Sequence, residues 1–175
     1  FSIGDKTFLL DGKPFLIKAA EMHYTRIPAE YWEHRIQMCK ALGMNTICIY
    51  AFWNIHEQKE GEFDFKGQND IAAFCRLAQK HGMYIMLRPG PYVCSEWEMG
   101  GLPWWLLKKK DIKLRTNDAY FLERTKLFMN EIGKELADLQ VSRGGNIIMV
   151  QVENEYGAYA TDKEYIANIR DIVKG

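Results

Sequence analysis

Apolar runs and helical patterns of apolar residues alternate along most of the chain, which predicts an α/β fold. Four short, continuously apolar segments are typical of buried parallel strands. These segments are Phe15–Ala20, Asn45–Tyr50, Met83–Arg88 and Ile147–Glu153. The segments between them repeat apolar residues every three or four positions, which indicates amphipathic helices. The predicted helices are Glu30–Leu42, Asn69–Gly82, Asp118–Leu139 and Lys163–Val173.

The boundaries of these elements carry local signals of their own. Asp11-Gly12 is a favoured hairpin turn, and it predicts a small β-hairpin from Thr7–Leu10 and Pro14–Ile17. Asn69 is the expected N-cap of the second helix, and Gly82 is the residue expected to end it.

Strands that alternate with helices predict βαβ units and a parallel sheet, in a single domain over residues 1–175. Two architectures fit this alternation, an open doubly wound sheet and a (β/α)8 barrel. A doubly wound nucleotide-binding protein usually carries a glycine-rich turn directly after a strand, and the chain has none. In both architectures the functional residues lie where the strands end.

The composition fits one globular domain and excludes several classes of protein. Hydrophobic residues make up 47% of the 175 residues, which is enough for one sizeable core. Lys and Arg total 23, as do Asp and Glu, and this balance gives no general attraction to nucleic acids or acidic membranes. No apolar run approaches the roughly 20 residues of a membrane span, so none is expected. The chain begins at Phe1 and ends beside a predicted helix, which indicates a portion of a longer protein.

Neither the cysteines nor the histidines form a metal-binding pattern, so no metal or cofactor is expected. The four cysteines lack CxxC spacing, and Cys39, Cys48 and Cys75 lie in apolar patterns typical of buried free thiols. The four histidines are scattered, without HExxH or other paired spacing. His23 and His56 stand at strand ends, where each either lines a pocket or has a structural role.

The fourth predicted strand ends in a polar cluster, Glu153-Asn154-Glu155. Burying unpaired carboxylates costs several kcal/mol, so each needs a function or a cationic partner, for which Arg88 is a candidate. Acetal cleavage needs a carboxylic acid that protonates the leaving oxygen and a second carboxylate on the opposite side, while an adjacent amide can hold a sugar hydroxyl. Since neighbouring strand residues point to opposite faces, Asn154 and Glu155 reach one site only if the strand bulges or ends there.

The loop after the third strand is rich in aromatic and polar residues and predicts a carbohydrate-binding surface. Arg88–Trp97 combines a rigid turn with a carboxylate and an indole ring, and Gly100–Trp105 adds two more indoles. Indole rings stack on the apolar faces of sugars, although each ring is equally a candidate for the core. Cys94, in the same loop, either lines the pocket or contacts a ligand.

Several of these segments resemble the glycoside hydrolase family 35 β-galactosidases. The resemblance rests most strongly on Gly144–Tyr156 and Arg88–Tyr92, and it covers nearly the whole chain in the right order. It also includes Ser95–Trp97, Gly100–Pro103, His23–Pro28 and Tyr50–Glu57. One position departs from the family pattern, because Asn146 stands where Pro is usual, at the end of the strand away from the site.

This resemblance implies that the chain is the N-terminal portion, about four β/α units, of a (β/α)8 barrel that hydrolyses terminal β-galactose with retention of configuration. It implies that Glu155 is the acid/base and that Asn154 is its amide partner. The nucleophilic Glu would follow the seventh strand, beyond residue 175, and Glu57, Glu96 and Glu98 are interpreted as ligand contacts or surface residues. The implied galactose contacts are Tyr50, Cys94, Ser95 (where many relatives have Ala), Glu96 and Asn154.

The implied substrates are galactose-terminated oligosaccharides or glycoconjugates, in a secreted, periplasmic or lysosomal setting. Two alternatives stay open on the sequence. One is a catalytically idle barrel that only binds carbohydrate, which a second carboxylate about 5 Å from Glu155 would exclude. The other is an exo-hydrolase for a different β-hexose, which depends on contacts to the 4-hydroxyl from residues such as Tyr50 and Glu96.

Overall fold

The computed structural model describes every residue from Phe1 to Gly175 and contains two sheets. The first is a small antiparallel sheet with strands β1 (Ser2–Ile3), β2 (Phe8–Leu10) and β3 (Lys13–Phe15). Strands β2 and β3 form the predicted hairpin around Asp11-Gly12, where both residues have positive φ. Strand β1 pairs with β2 and adds a third strand that the sequence did not predict.

The second sheet has four parallel strands, arranged in the order in which they follow along the chain. They are β4 (Ala19–Glu21), β5 (Thr46–Tyr50), β6 (Tyr84–Arg88) and β7 (Ile147–Val150). Each strand pairs in parallel with the next. In a doubly wound sheet the strands are added first on one side of the starting strand and then on the other. Their order in the sheet therefore differs from their order in the chain. Sequential order is that of a (β/α)8 barrel, so these units form one half of such a barrel.

The predicted first parallel strand, Phe15–Ala20, is wrong because the structure divides this segment between β3 and β4. The side chain of Asn45 explains the division. Its Nδ2 donates to the carbonyl oxygen of Leu16 (2.8 Å), and its Oδ1 accepts from the amide of Lys18 (2.9 Å). These bonds occupy main-chain groups that a continuous strand would use in its ladder.

Six α-helices accompany the strands, and three of them have aspartate N-caps. The helices are α1 (Ala29–Ala41), α2 (Trp53–His56), α3 (Ile71–Lys80), α4 (Ala119–Leu136), α5 (Tyr156–Tyr159) and α6 (Lys163–Lys174). The prediction of Asn69 as the N-cap of α3 is wrong, because the carboxylate of Asp70 accepts from the amide of Ala73 (2.7 Å). Asp118 and Asp162 cap α4 and α6 in the same way. None of the helices is both long and apolar enough to cross a membrane.

The four long helices pack against one face of the parallel sheet, at the positions predicted from the apolar periodicity. Neighbouring helices α1, α3, α4 and α6 contact one another in chain order. The strand residues that face them are apolar and buried, so this side holds the main core. They are Ile47, Ile49, Ile85, Leu87 and Ile147. The opposite face is polar at the carboxyl ends of the strands, where Glu21, Tyr50 and Arg88 meet.

Both outer edges of the parallel sheet lack a neighbouring strand. The free side of β4 pairs with no strand, and β7 meets only an isolated bridge between Gln140 and Ile147. Unpaired edges of this kind expose main-chain donors and acceptors to any strand that can reach them.

Candidate active site

Strand β7 ends before the acidic cluster that follows it. Its predicted extension to Glu153 is wrong, because Glu153 and Glu155 have left-handed φ values of 59° and 49°. Left-handed backbone is uncommon for residues other than glycine and cannot continue a strand. The alternation of a strand therefore does not apply to Asn154 and Glu155, and this meets the condition under which both can reach one site.

Glu153 is the buried carboxylate of the cluster and forms an ion pair with Arg115. The guanidinium donates to both carboxylate oxygens (3.2 and 2.8 Å) and to the carbonyl oxygen of Asn154 (2.7 Å). The hydroxyl of Tyr165 (2.7 Å) and the amide of Asn154 (2.8 Å) also donate to Glu153. An ion pair for Glu153 is thus present, but the partner considered from the sequence, Arg88, is wrong. These bonds hold the turn that presents Glu155.

Arg88 instead joins two of the predicted substrate-binding residues. Its guanidinium donates to the hydroxyl oxygen of Tyr50 and to the side-chain oxygen of Asn154. Because a guanidinium only donates, the Asn154 amide turns its oxygen toward Arg88 and leaves its NH2 group available. The hydroxyl of Ser95 lies beside that of Tyr50 and donates its hydrogen to the carbonyl oxygen of Val93 (2.9 Å). The structure therefore brings Tyr50, Ser95 and Asn154 together at the strand ends.

The loop that carries Cys94, Ser95 and Glu96 has an unusual backbone. All three residues have positive φ, at 59°, 53° and 50°. Arg26 holds this turn by donating to the carbonyl oxygens of Ser95 (3.0 Å) and Glu96 (2.9 Å). Non-glycine residues in this conformation cost about 1–3 kcal/mol each, and they cluster at ligand-binding and catalytic sites.

The other predicted site residues are Cys94, Glu96 and Glu155. Their side chains are exposed and form no hydrogen bond with Tyr50, Ser95 or Asn154. Glu155 and Glu96 form neither an ion pair nor a side-chain hydrogen bond. Cys94 is an exposed free thiol beside the hydroxyl of Tyr92. Both carboxylates are therefore free to accept hydrogen bonds from a ligand or to exchange protons with it.

A cavity of about 630 Å³ lies beside this loop, and Glu96 is the one predicted site residue that lines it. Trp97 and Trp104 also line the cavity, and 56% of the Trp104 surface is exposed. Trp105 is buried in the core, where its indole donates to a main-chain oxygen. The predicted surface of three indoles is therefore reduced to two.

The sequence suggested that Glu57 is a ligand contact or a surface residue. Both interpretations are wrong, because Glu57 is fully buried. Its carboxylate accepts from Arg124, from the indole of Trp53 (2.6 Å) and from the amide of Gly61 (2.7 Å). This second buried ion pair fixes the loop after β5. Glu98 is exposed and lines the cavity, as one of the two interpretations expected.

His56 is buried away from these residues, so it has a structural role and does not line the pocket. Its ring bonds to the hydroxyl of Tyr24 (2.5 Å) and to the carbonyl oxygen of Asp64 (2.9 Å). Burial lowers the pKa of His56 from 6.5 to about 4, although the bond to Asp64 opposes this shift.

We expect the buried His56 to make the protein less stable in acid. The unfolded state takes up a proton near pH 6.5 and the folded state only near pH 4, so the stabilising contribution of neutral His56 is complete above pH 6.5 and is lost as the pH falls toward 4. The loss is about 3 kcal/mol in the free energy of unfolding. In His56→Gln, the free energy of unfolding measured with urea should depend less steeply on pH between pH 6.5 and pH 4. His34→Gln, exposed on α1, is the control that should keep the original slope, and equal slopes in the two variants would contradict the prediction.

Cys39, Cys48 and Cys75 are free thiols, as the sequence predicted. Cys48 and Cys75 are buried, and Cys39 is partly buried. Burial raises the pKa of each of these three thiols, which keeps them protonated and unreactive at neutral pH. No three His, Cys, Asp or Glu side chains are grouped closely enough to hold a metal ion.

Known proteins are similar in sequence to this chain over nearly all of its residues. The profile of Glycosyl hydrolases family 35 matches residues 7–175. A β-galactosidase of Xanthomonas manihotis is 47% identical over 163 residues, which cover 93% of this chain and 27% of that protein. The mouse β-galactosidase is 45% identical over 91% of this chain and 25% of its own length, and human beta-galactosidase-1-like protein 2 is 44% identical over 93% and 26%. The chain spans about a quarter of the length of these curated relatives.

Solved structures share the fold. An exo-β-1,4-mannosidase from Opitutaceae bacterium strain TAV5 superposes with a TM-score of 0.74 at 18% identity, over 99% of this chain and 32% of that chain. A β-galactosidase from the psychrophilic Marinomonas ef1 superposes with a TM-score of 0.57 at 14% identity, over 82% and 22%. Sequence identities of 18% and 14% to these structures are evidence for a shared fold alone. The family profile, by contrast, matches all but the first six residues, and the chain therefore belongs to glycosyl hydrolase family 35.

Proposed function

We propose that this chain forms the N-terminal half of the catalytic barrel of a retaining β-galactosidase, which removes terminal non-reducing β-D-galactose from oligosaccharides or glycoconjugates. The family and the names of the relatives support this substrate, and the family alone supports a secreted, periplasmic or lysosomal setting. One contrast carries the proposal: Glu153 is buried in an ion pair, whereas Glu155 is exposed and unpaired. An accessible, unpaired carboxyl group can exchange a proton with a bound substrate.

In the proposed double displacement, Glu155 acts twice. It protonates the leaving oxygen as the nucleophile attacks the anomeric carbon, and it then deprotonates the water that releases galactose. A retaining enzyme needs its nucleophilic carboxylate about 5 Å from the acid, on the opposite side of the sugar. Glu153 and Glu57 are each paired with an arginine, so neither is free for this role. The family resemblance implies that the nucleophile follows the seventh strand of the barrel, so we assign it to a glutamate beyond residue 175.

Asn154 is proposed to hold a sugar hydroxyl with its available NH2 group. Arg88 orients the side-chain amide, and Arg115 binds the carbonyl oxygen of the same residue, so both parts of Asn154 are held in place. A donor that is already oriented stabilises the transition state without having to reorganise. The other proposed galactose contacts are Tyr50, Cys94, Ser95 and Glu96.

Hydrolysis by the longer protein that contains this chain tests the proposed function. Nitrophenyl β-galactoside is compared with nitrophenyl β-glucoside, and NMR follows the anomeric configuration of the first sugar released. We expect a preference for the galactoside and initial release of the β-anomer. Initial release of the α-anomer would contradict double displacement, and a preference for the glucoside would assign the site to another β-hexose. Binding of galactose without turnover would leave a carbohydrate-binding barrel.

We expect Glu96→Ala to weaken galactose binding by about tenfold or more, because Glu96 is a proposed galactose contact and its exposed carboxylate is free to accept sugar hydroxyls. The measurement is the inhibition constant of galactose against nitrophenyl β-galactoside. Glu98→Ala, an exposed glutamate on the same cavity, is the matched control and should leave the constant unchanged. An unchanged constant in Glu96→Ala would remove Glu96 from the galactose contacts.

A further inference from the structure

A chain of hydrogen bonds runs across the carboxyl ends of the parallel strands, with one side chain from each. Glu21 ends β4, Tyr50 ends β5, Arg88 ends β6 and Asn154 follows β7. Tyr50 bonds to Glu21 (2.7 Å) and to Arg88, and Arg88 bonds to Asn154. Glu21 begins this chain with 49% of its side chain exposed, although it belongs to no motif singled out in the sequence. The predicted galactose contacts Tyr50 and Asn154 are thus connected to a residue outside the predicted site.

The donors and acceptors in this chain determine where the hydroxyl hydrogen of Tyr50 points. An ionised carboxylate only accepts and a guanidinium only donates. The single hydrogen of Tyr50 therefore goes to Glu21, while its oxygen accepts from Arg88. What Tyr50 has left for a ligand is an acceptor lone pair.

The surroundings of Glu21 keep it in the ionised form that this arrangement needs. Although partial burial opposes the shift, hydrogen bonds from Tyr50 and His23 lower the pKa of Glu21, with the charges of His23 and Arg88 adding to the effect. His23 bonds through Nε2 to Glu21 (2.9 Å) and accepts from Arg26 at Nδ1. Burial, and then the bond to Glu21, raises the pKa of Tyr50 to about 12, so its hydroxyl keeps the hydrogen at neutral pH.

We propose that Glu21 is a positioning residue that selects the sugar by fixing Tyr50 as a hydrogen-bond acceptor. A sugar hydroxyl at this place can donate to Tyr50 while it accepts from the NH2 group of Asn154. A substituent without a hydrogen, such as an ether oxygen or fluorine, cannot make both bonds. This inference rests on the proposed function, because it takes Tyr50 and Asn154 as galactose contacts.

Pairs of variants in the longer protein test the inference through the inhibition constant of galactose and the separate values of kcat and KM on nitrophenyl β-galactoside. Glu21→Met keeps an unbranched side chain but has no acceptor oxygen, so the Tyr50 hydroxyl becomes free to rotate. We expect galactose binding to weaken by about tenfold or more, mainly in KM. Glu21→Gln retains a carbonyl oxygen that accepts from Tyr50 and should restore most of the binding. Glu123→Met, an exposed glutamate on α4, is the control that should change neither value.

The decisive comparison repeats Glu21→Met in a Tyr50→Phe background. If Glu21 acts through the Tyr50 hydroxyl, its replacement has no further effect once that hydroxyl is gone. A tenfold effect that persists in Tyr50→Phe would overturn the inference, since Glu21 would then act through Arg88, through His23 or directly on the sugar. A Glu21→Gln variant as weak as Glu21→Met would also overturn it. If Glu21→Met folds poorly, Glu21→Ala serves in the same two backgrounds.

The proposed function and this inference fail in different ways. A wild-type protein that neither binds galactose nor hydrolyses the galactoside overturns both. A wild-type protein that is active, with Glu21→Met equal to it, overturns the role of Glu21 and leaves the proposed function in place.

Discussion

Glutamine in place of Glu155 should slow the hydrolysis of β-galactosides with poor leaving groups by about 10²–10⁴-fold. A sugar or alkyl oxygen must gain a proton as its bond to the anomeric carbon breaks, and an amide cannot supply that proton. Nitrophenyl galactosides should lose much less in the first step, because a nitrophenolate leaves without protonation. The values of kcat/KM for lactose and for nitrophenyl β-galactoside provide the comparison.

The second half of the reaction gives a control that separates acid/base chemistry from damage to the fold. Azide attacks the galactosyl-enzyme without needing a general base, so it should accelerate turnover of nitrophenyl β-galactoside by Glu155→Gln and yield β-galactosyl azide. Glu123→Gln, on the exposed face of α4, should match the wild type on both substrates. Equal losses on both substrates, with no response to azide, would remove Glu155 from the acid/base role.

Arg115→Met should lower the free energy of unfolding by about 3–5 kcal/mol, because it leaves Glu153 as a buried charge without its cation. The same change removes the donor to the carbonyl oxygen of Asn154, so the left-handed turn that carries Glu155 loses one of its restraints. Activity at a temperature where the variant is folded should therefore also fall. Urea unfolding and kcat at low temperature measure the two effects separately.

Two further variants test whether the loss of stability in Arg115→Met comes from a buried, unpaired charge. Arg170→Met removes an exposed arginine of α6 and should change stability by no more than about 0.5 kcal/mol. The double variant Arg115→Met with Glu153→Leu removes both charges and should recover part of the stability that Arg115→Met alone loses. A double variant less stable than Arg115→Met would contradict the view that an unpaired charge causes the loss.

The parallel strands and long helices could be predicted because their core-facing pattern is continuous along the chain. All five residues of β5 are buried, and α3 and α4 each present one apolar face to the sheet. Strand β4 could not be placed in the same way. It has three residues, and the break before it depends on hydrogen bonds from Asn45, which comes later in the chain. The local sequence around β4 contains no information about a hydrogen-bond partner so far along the chain.

The difference between local patterns and partners distant in the chain also explains what could be predicted of the candidate site. Asn154 and Glu155 could be identified because polar residues directly after an apolar strand are unusual, and Glu96 because it is the carboxylate of an aromatic loop. Tyr50 and Ser95 followed only from the family resemblance. Arg115 stands 38 residues before its partner Glu153, and Glu21 stands 29 residues before Tyr50. Their roles arise from pairings between distant segments, and the sequence around each carries no sign of them.

The unpaired edges of the parallel sheet affect when the proposed barrel can close. Strands β4 to β7 lie side by side in chain order, so each can pair with its predecessor soon after it emerges from the ribosome. The outer edge of β4 has no such early partner, because a barrel closes by pairing its first strand with its last. A complete barrel needs about 250 residues, and synthesis proceeds at about 5–20 residues per second, so this edge stays open for seconds after β7 has emerged. During that interval a nascent chain is open to strand exchange with its neighbours on the same messenger RNA.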